Sequence, residues 1–127
     1  MPCTRLCTKQ VLRLRRSATS TPVGDRGKLA AIRFVFGKHN GPIISAIKPA
    51  TGYLLGAAGG IKAIFTALSL YDQVAPRTLN LNNPDPLSTG LDLIASQARP
   101  ASFDYAISNG FGFGGVNVSV ILRCGHL

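Results

Sequence analysis

The sequence has no apolar run long enough to cross a membrane. A transmembrane helix needs about 20 consecutive apolar residues, and every apolar stretch of this 127-residue chain is interrupted before that length. The first residues also lack the apolar core of a secretory signal. We therefore expect no membrane span, and the expected location is mitochondrial or cytoplasmic.

Cysteine is scarce and odd in number. Cys3, Cys7 and Cys124 are the three cysteines, so they cannot all be joined in pairs. Without a secretory signal, such cysteines are typical of free thiols in a reducing compartment. Cys3 and Cys7 have no second pair of zinc ligands beside them, and we expect neither a metal nor a cofactor.

Glutamate is absent altogether. Five aspartates oppose 14 lysines and arginines, which gives a net charge of +9. Such an excess suits nucleic acid, but most of the cations lie in the first 38 residues, where Asp25 is the only acid. The chain also lacks interleaved basic and aromatic stripes. We therefore expect no nucleic-acid partner and keep nucleic-acid binding as an alternative argued from charge alone.

Residues 1–16, MPCTRLCTKQVLRLRR, form a basic leader with five cations and no acid. This composition is typical of a mitochondrial transit peptide. It is equally typical of a disordered basic arm, and both interpretations stay open. The folded part of the chain is predicted to be residues 17–127.

The spacing of apolar residues predicts an α/β domain. The predicted elements are a helix at 26–36, a strand at 42–47, a loop at 48–52, a helix at 54–73, extended pieces at 78–81 and 91–95, and strands at 103–108 and 116–122. The helix at 54–73 should be buried along its apolar side. That side comprises Ile61, Ile64, Phe65, Leu68 and Tyr71.

Glycines are concentrated at the start of that helix. Gly56, Gly59 and Gly60 each cost about 1 kcal/mol relative to alanine inside a helix. Such a cost predicts that another group must approach the backbone closely at this point.

A second glycine cluster lies in SNGFGFGGVNVSVILR, residues 108–123, where Gly110, Gly112 and Gly115 match the G-x-G-x-x-G pattern. A dinucleotide site needs a helix directly after the glycines and an acidic residue about 20 positions later. Here a β-branched run follows, which favours a strand, and no acid remains. The cluster therefore predicts a hairpin. Its backbone N–H groups are also suited to stabilising an oxyanion while the phenylalanine rings exclude water.

Four ordered segments resemble β-ketoacyl-[acyl-carrier-protein] synthases. NGFGFGGVN at 109–117 is similar to the family's NSFGFGGTN loop. The other three segments are ATSTPVGD at 18–25, KPATGYLLGAAGG at 48–60 and LYDQVAPRTLNLNNP at 70–84. The resemblance covers about residues 18–123 and implies that 17–127 is the C-terminal part of a thiolase-like αβαβα fold, incomplete. It corresponds to the last quarter to third of a full synthase.

The resemblance implies a role for each matching residue. Lys48 falls on the catalytic lysine. Phe113 falls on the phenylalanine whose backbone N–H contributes to the oxyanion hole and whose ring gates the acyl chain, and Phe111 on its companion. Thr19 and Thr21 match threonines that hydrogen-bond the pantetheine arm of the substrate.

The chain departs from the family pattern at four charged or catalytic positions. Ser17 and Tyr53 occupy the positions of the two catalytic histidines, and we expect Ser17 and Tyr53 to be non-functional there. Lys28 and Lys62 occupy the positions of two glutamates. The resemblance implies that the glutamate at position 62 pairs with the catalytic lysine, so Lys48 should face the cation of Lys62 instead and have a lowered pKa. The nucleophilic cysteine belongs to the upstream part of the family sequence. We therefore expect no condensing activity from the 127-residue chain alone.

The function implied is decarboxylating condensation of an acyl thioester with malonyl-carrier protein in fatty-acid synthesis. The implied partners are the acyl carrier protein, acyl and malonyl thioesters, and a second subunit in a homo- or heterodimer. The alternative is a non-catalytic protein that binds acyl-pantetheine or an intact synthase. In either case, a segment of this length should leave apolar helix faces and a sheet edge uncovered.

Overall fold

The computed structural model describes residues 12–15, 22–37 and 41–125. The helices and strands within them are β1 (Leu12–Arg15), α1 (Pro22–Phe36), β2 (Ile43–Ser45), α2 (Lys48–Thr51), α3 (Ala58–Asp72), β3 (Val74–Ala75), β4 (Asp92–Leu93), β5 (Arg99–Pro100), β6 (Tyr105–Phe111) and β7 (Asn117–Arg123). The element types and their order are those of an α/β domain, as predicted.

The main sheet of the described residues has β1 at its centre, in the strand order β4-β2-β1-β6-β7. Leu14 of β1 pairs in parallel with Ile44 on one side and with Ile107 on the other. β4 continues the parallel pairing beyond β2, whereas β7 runs antiparallel to β6 at the opposite edge. The chain therefore builds the sheet outward from β1 in both directions.

α1 and α3 cover opposite faces of this sheet. Successive residues of a strand point to opposite faces. Ile107 of β6 packs in one cluster with Ile32 of α1, whereas the adjacent Ala106 packs in another with Leu70 of α3. The buried core is thus divided between two faces and consists of small clusters.

The end of the basic leader is part of the sheet. The sequence interpretation extends a transit-like or disordered leader to residue 16, but Leu12–Arg15 is β1. The sequence LRLR has the two-residue alternation of a strand, and pairing on both sides supplies its backbone hydrogen bonds. The leader interpretation therefore does not hold for these four residues. For residues 1–11 it lies outside the described part of the chain.

α3 turns its polar side toward the sheet. Its buried residues are Lys62, Thr66, Ser69 and Leu70. The hydroxyl of Thr66 donates to the Lys62 carbonyl at 2.6 Å, one turn earlier, so it needs no partner in the sheet. The predicted burial of the apolar side is wrong: the exposed residues on it are Ile64, Phe65, Leu68 and Tyr71. The expectation of an uncovered apolar helix face is confirmed.

The other predicted elements agree in type more than in extent. The helix predicted at 26–36 begins at Pro22, and the predicted strand at 42–47 contains β2. The segment predicted as a loop holds the one-turn helix α2, with Pro49 in its first turn, a position that suits proline. The extended piece predicted at 78–81 is not a strand and contains a turn at residues 79–80. The predicted hairpin is confirmed by the antiparallel pairing of β6 and β7.

β7 is an exposed edge strand. Val116, Val118, Val120 and Ile121 in and beside it are all 40% or more exposed, and β6 is its only partner among the described strands. An apolar, unpaired edge favours association with other chains. Within the described residues, no helix is both long and apolar enough to cross a membrane.

Candidate functional site

The candidate site lies at the carboxyl ends of the parallel strands. The chain proceeds from β1 to β2 on one side and later adds β6 on the other. The boundary between β1 and β6 is therefore a topological switch point, where open α/β sheets bind ligands. The start of α1 follows β1, and Lys48 follows β2, so both lie at this edge.

A hollow of about 540 Å³ opens at this edge. Lys48 and Tyr53 line it after β2, and the glycine-rich start of α3 forms a second wall. Phe111 and Gly112 of the β6–β7 hairpin contribute a third. The structure thus brings together Lys48, Tyr53 and Phe111, which the sequence analysis assigned to one site.

Lys62 lies at the base of the hollow with only 6% of the residue exposed. Its ammonium donates to the backbone carbonyl of Asn109 at 2.7 Å. This is the single acceptor it has among the described residues, and no carboxylate there is within ion-pair distance of it. A buried ammonium with three N–H groups and one acceptor is incompletely compensated.

Three lysines share this region and oppose one another. Burial lowers the pKa of Lys62, and the charges of Lys48 and Lys28 lower it further. Burial also lowers the pKa of Lys48, where Lys28 adds to the decrease and Asp25 opposes it. The predicted decrease for Lys48 is confirmed in direction, although burial is its largest cause and Lys28 is the cation responsible for the repulsion. Lys28 itself lies 3.8 Å from the Asp25 carboxylate.

Tyr53 contacts Lys48 through its ring. The Lys48 ammonium lies 4.2 Å from the ring centroid, close enough for a cation–π attraction. At one of the two positions that the family pattern gives to histidine, this chain therefore holds a ring that attracts the lysine and has no basic nitrogen. This geometry positions Lys48 over the hollow.

The hairpin wall is shaped by its glycines. The N–H of Gly112 donates to the Val116 carbonyl at 2.7 Å, which closes the turn. Gly114 and Gly115 have φ angles of +75° and +80°, in the region that glycine enters without steric cost. These glycines are needed for the turn itself and not for a helix N-terminus.

Phe111 and Phe113 have different surroundings. Phe111 is half exposed, lines the hollow and lies 5.7 Å from the Lys28 ammonium. Phe113 is at the tip of the hairpin, 86% exposed, and is not among the residues that line the hollow. The described chain therefore places the companion phenylalanine against the hollow and leaves the gating position open to solvent.

The glycines at the start of α3 border the hollow. At Gly56, Gly59 and Gly60, an added Cβ would have no atom of the described chain within 4 Å. The close approach that these glycines predicted is thus not made by any residue in the described ranges. They instead give the hollow a wall without side chains.

Three predicted site residues, Ser17, Thr19 and Thr21, lie outside the described residues. They fall between β1 and α1, in the segment that joins these elements. Within 12–15, 22–37 and 41–125, no group of three or more histidine, cysteine or acidic side chains is placed to hold a metal ion.

Two features of the site escaped the sequence analysis. Ser108 of β6 lines the hollow and is only 5% exposed. A serine in a strand has no sequence pattern that would have predicted this position. A second, mostly apolar groove of about 460 Å³ lies between α1 and the hairpin on the other side of Phe111, and Lys28 lines it. Only the pairing of β1 with β6 brings α1 and the hairpin together.

The beta-ketoacyl synthase C-terminal domain family matches residues 4–82. The mitochondrial 3-oxoacyl-[acyl-carrier-protein] synthase of Arabidopsis thaliana is 43% identical over 91% of this chain and 26% of its own length. The 3-oxoacyl-[acyl-carrier-protein] synthase 2 of Vibrio harveyi is 42% identical over 83% of this chain and 26% of its own length. The chain therefore spans about a quarter of these curated relatives.

Solved structures show the same likeness. The ishigamide ketosynthase/chain length factor superposes with a TM-score of 0.82 and 28% identity, over 92% of this chain and 28% of that one. A ketosynthase in complex with its type II PKS acyl-carrier protein gives a TM-score of 0.79 and 27% identity, over 94% and 29% of the two chains. The fold is thus a partial C-terminal domain of the thiolase-like ketosynthases. With the family match over more than half its length, the chain belongs to the β-ketoacyl synthase family.

Proposed function

We propose that this chain forms the C-terminal wall of an acyl-thioester cleft of the kind used by 3-oxoacyl-[acyl-carrier-protein] synthases in fatty-acid synthesis. The observation that carries the proposal is the common hollow of Lys48, Tyr53 and Phe111 at the switch point of the sheet. Acyl and malonyl thioesters presented by acyl carrier protein are the substrates in this proposal. The ketosynthase structure that contains an acyl-carrier protein supports the choice of partner.

In this proposal Lys48 and the hairpin act by electrostatics. Partial burial lowers the pKa of Lys48, and its ammonium is proposed to interact with the polarised carbonyl of a bound thioester, an attraction that strengthens where water is excluded. Backbone N–H groups of the glycine hairpin, at Phe113 above all, are the proposed donors to the developing oxyanion. Phe111 is proposed to contact the acyl chain, and Thr19 and Thr21 the pantetheine arm.

The 127-residue chain alone is proposed to be inactive in condensation. Ser17 and Tyr53 replace the two histidines of the family pattern, so neither position supplies an imidazole nitrogen. Losing members of a catalytic unit costs several powers of ten in rate. Cys124 is not a substitute nucleophile, because it packs beside Phe103, Leu70 and Ala106 at the far end of β6.

The test has two arms. A turnover assay with acyl- and malonyl-carrier protein should show no product above the buffer blank. Titration with a non-phosphorylated S-octanoyl-pantetheine should show saturable binding that is weakened by Phe111→Ala. The matched control is Phe34→Ala, since Phe34 is 92% exposed on α1 and should not affect binding. Turnover would refute inactivity, and equal effects of the two alanine variants would refute the thioester site.

A second candidate function is pairing with an intact synthase subunit as a non-catalytic partner. Its support is the exposed apolar side of α3 and the edge of β7, which is unpaired among the described strands, together with solved structures of a ketosynthase with a chain length factor. Co-expression with the intact synthase should then yield a stable heteromer on size-exclusion chromatography. Separate elution of the two chains at micromolar concentration would refute it.

We propose a mitochondrial or a cytoplasmic location, with the mitochondrial relative as support for the former. Removal of the whole segment 1–16 on import would delete β1, on which β2 and β6 both pair. A mitochondrial form should therefore retain residues 12–15. N-terminal sequencing of the protein recovered from fractionated cells tests this, and a mature end after residue 16 would contradict it.

A further inference from the structure

Two lysines and a serine line the hollow. Lys62 and Lys48 both line it, from α3 and from the segment after β2, and no acidic side chain is among its lining residues. Neither ammonium forms an ion pair within the described ranges, although the charge of the Asp25 carboxylate raises the pKa of Lys48. Ser108, from β6, is 5% exposed, and its hydroxyl has no hydrogen-bond partner among the described residues.

These groups come from three different elements and face one cavity. Burying a cation is costly unless it is paired and hydrogen-bonded, and among the described residues the Asn109 carbonyl satisfies one of the three N–H groups of Lys62. Two ammonium groups are balanced by one doubly charged oxyanion. A phosphate group carries between −1.5 and −2 charges near pH 7 and offers three or more acceptor oxygens.

We propose that Lys48, Lys62 and Ser108 form a binding site for a phosphate dianion in this hollow. Lys62 donates from the base, Lys48 from the rim and the Ser108 hydroxyl from the strand. The most important of these side chains is Lys62, which occupies a position that the family pattern gives to a glutamate. The site shares Lys48 and the hollow with the proposed condensing cleft, but phosphate binding requires no thioester and no nucleophilic cysteine and is therefore testable separately from condensation.

The test uses the full chain and inorganic phosphate as the probe. Calorimetric titration at pH 7 and constant ionic strength should show saturable phosphate binding, with sodium acetate as the monoanion comparison. Lys62→Gln should weaken phosphate binding about tenfold or more, the effect expected from loss of a charge-assisted hydrogen bond. Ser108→Ala should weaken it about two- to tenfold, as expected for a neutral one.

Each variant has a matched control outside the hollow. Ser119→Ala removes a hydroxyl that bonds Asn109 on the other side of the hairpin, and Arg77→Gln removes an exposed cation. Neither control should change phosphate affinity. Equal losses in Lys62→Gln and Arg77→Gln would overturn the proposal, because they would indicate general attraction of anions to a basic chain.

The remaining outcomes also decide. Acetate binding as tightly as phosphate would overturn the dianion assignment. Methyl phosphate binding like inorganic phosphate supports a phosphorylated organic ligand, whereas binding of inorganic phosphate alone supports the free anion. Circular dichroism checks the fold of every variant. If Lys62→Gln does not fold, the Ser108→Ala and Ser119→Ala pair carries the test, and equal affinities in that pair would overturn the proposal.

Discussion

Replacing Ile44 with alanine should destabilise the domain far more than replacing Ile64, although both lie in apolar segments. Ile44 is 2% exposed in β2 and packs with Ile32 and Ile107. Ile64 is 56% exposed on α3. The two substitutions remove the same atoms, so Ile44 provides the reference for a buried site, and a much smaller effect at Ile64 indicates that its side of α3 is not packed.

The magnitudes follow from burial. Ile44→Ala removes three buried carbons at about 0.8 kcal/mol each, and the cavity left behind raises the cost to about 2–5 kcal/mol. Ile64→Ala loses less than half of that transfer term and recovers several tenths of a kcal/mol through the better helix propensity of alanine. Its net cost should be within about 0.5–1 kcal/mol.

Urea denaturation followed by circular dichroism measures both values. With a slope of about 1–3 kcal/mol/M for a small domain, Ile44→Ala should lower the midpoint by about 1–2 M, and Ile64→Ala by a few tenths of that. Both variants should be compared at concentrations where size-exclusion chromatography shows a monomer. Equal midpoint shifts in the monomer would refute the structural argument and favour a buried apolar side of α3.

Three further outcomes are expected. Because the pKa of Lys62 is lowered, the unfolded chain binds more protons than the folded chain between that lowered pKa and about 10.4. The free energy of unfolding should therefore rise with pH in this range, and Lys62→Gln should reduce the rise. Equal pH profiles for the two proteins would contradict this. Gly60→Ala, in open space on α3, should raise the free energy of unfolding by about 0.5–1 kcal/mol. Gly114→Ala, at a φ of +75°, should lower it by about 1–2 kcal/mol. Thermal denaturation showing the reverse order would refute the turn argument. Ile121→Lys, at the exposed edge strand, should reduce self-association on size-exclusion chromatography without loss of secondary structure. Unchanged association would exclude β7 as the surface through which the chains associate.

Local pattern and turn chemistry predicted much of the fold. The β-branched run after Gly115 excluded a helix there, and the hairpin follows from it. Pro49 misled the prediction because proline suits a loop and the first turn of a helix equally well. β1 was hidden by its arginines: LRLR has the period of a strand, but its charge suggested a leader.

The periodicity of apolar residues did not predict which side of α3 faces the sheet. The apolar stripe with Ile64 and Leu68 is real, but periodicity does not say which layer covers it. In this chain the sheet takes the side with Thr66, whose hydroxyl is satisfied within the helix. Likewise, the family pattern identified Lys48 and Lys62 as neighbours, whereas the presence of Ser108 beside them depends on the register of β6 against its neighbours.

The central position of β1 also determines when this protein is able to fold. In the chain β1 is made long before β6, its partner on one side, because α1, β2 and α3 lie between them. Contacts between such distant parts of a chain give a high contact order and slow folding. During translation the nascent chain carries α3 and β2 with their apolar sides exposed, so the yield of native protein should depend on chaperones that protect it until its C-terminal strands emerge.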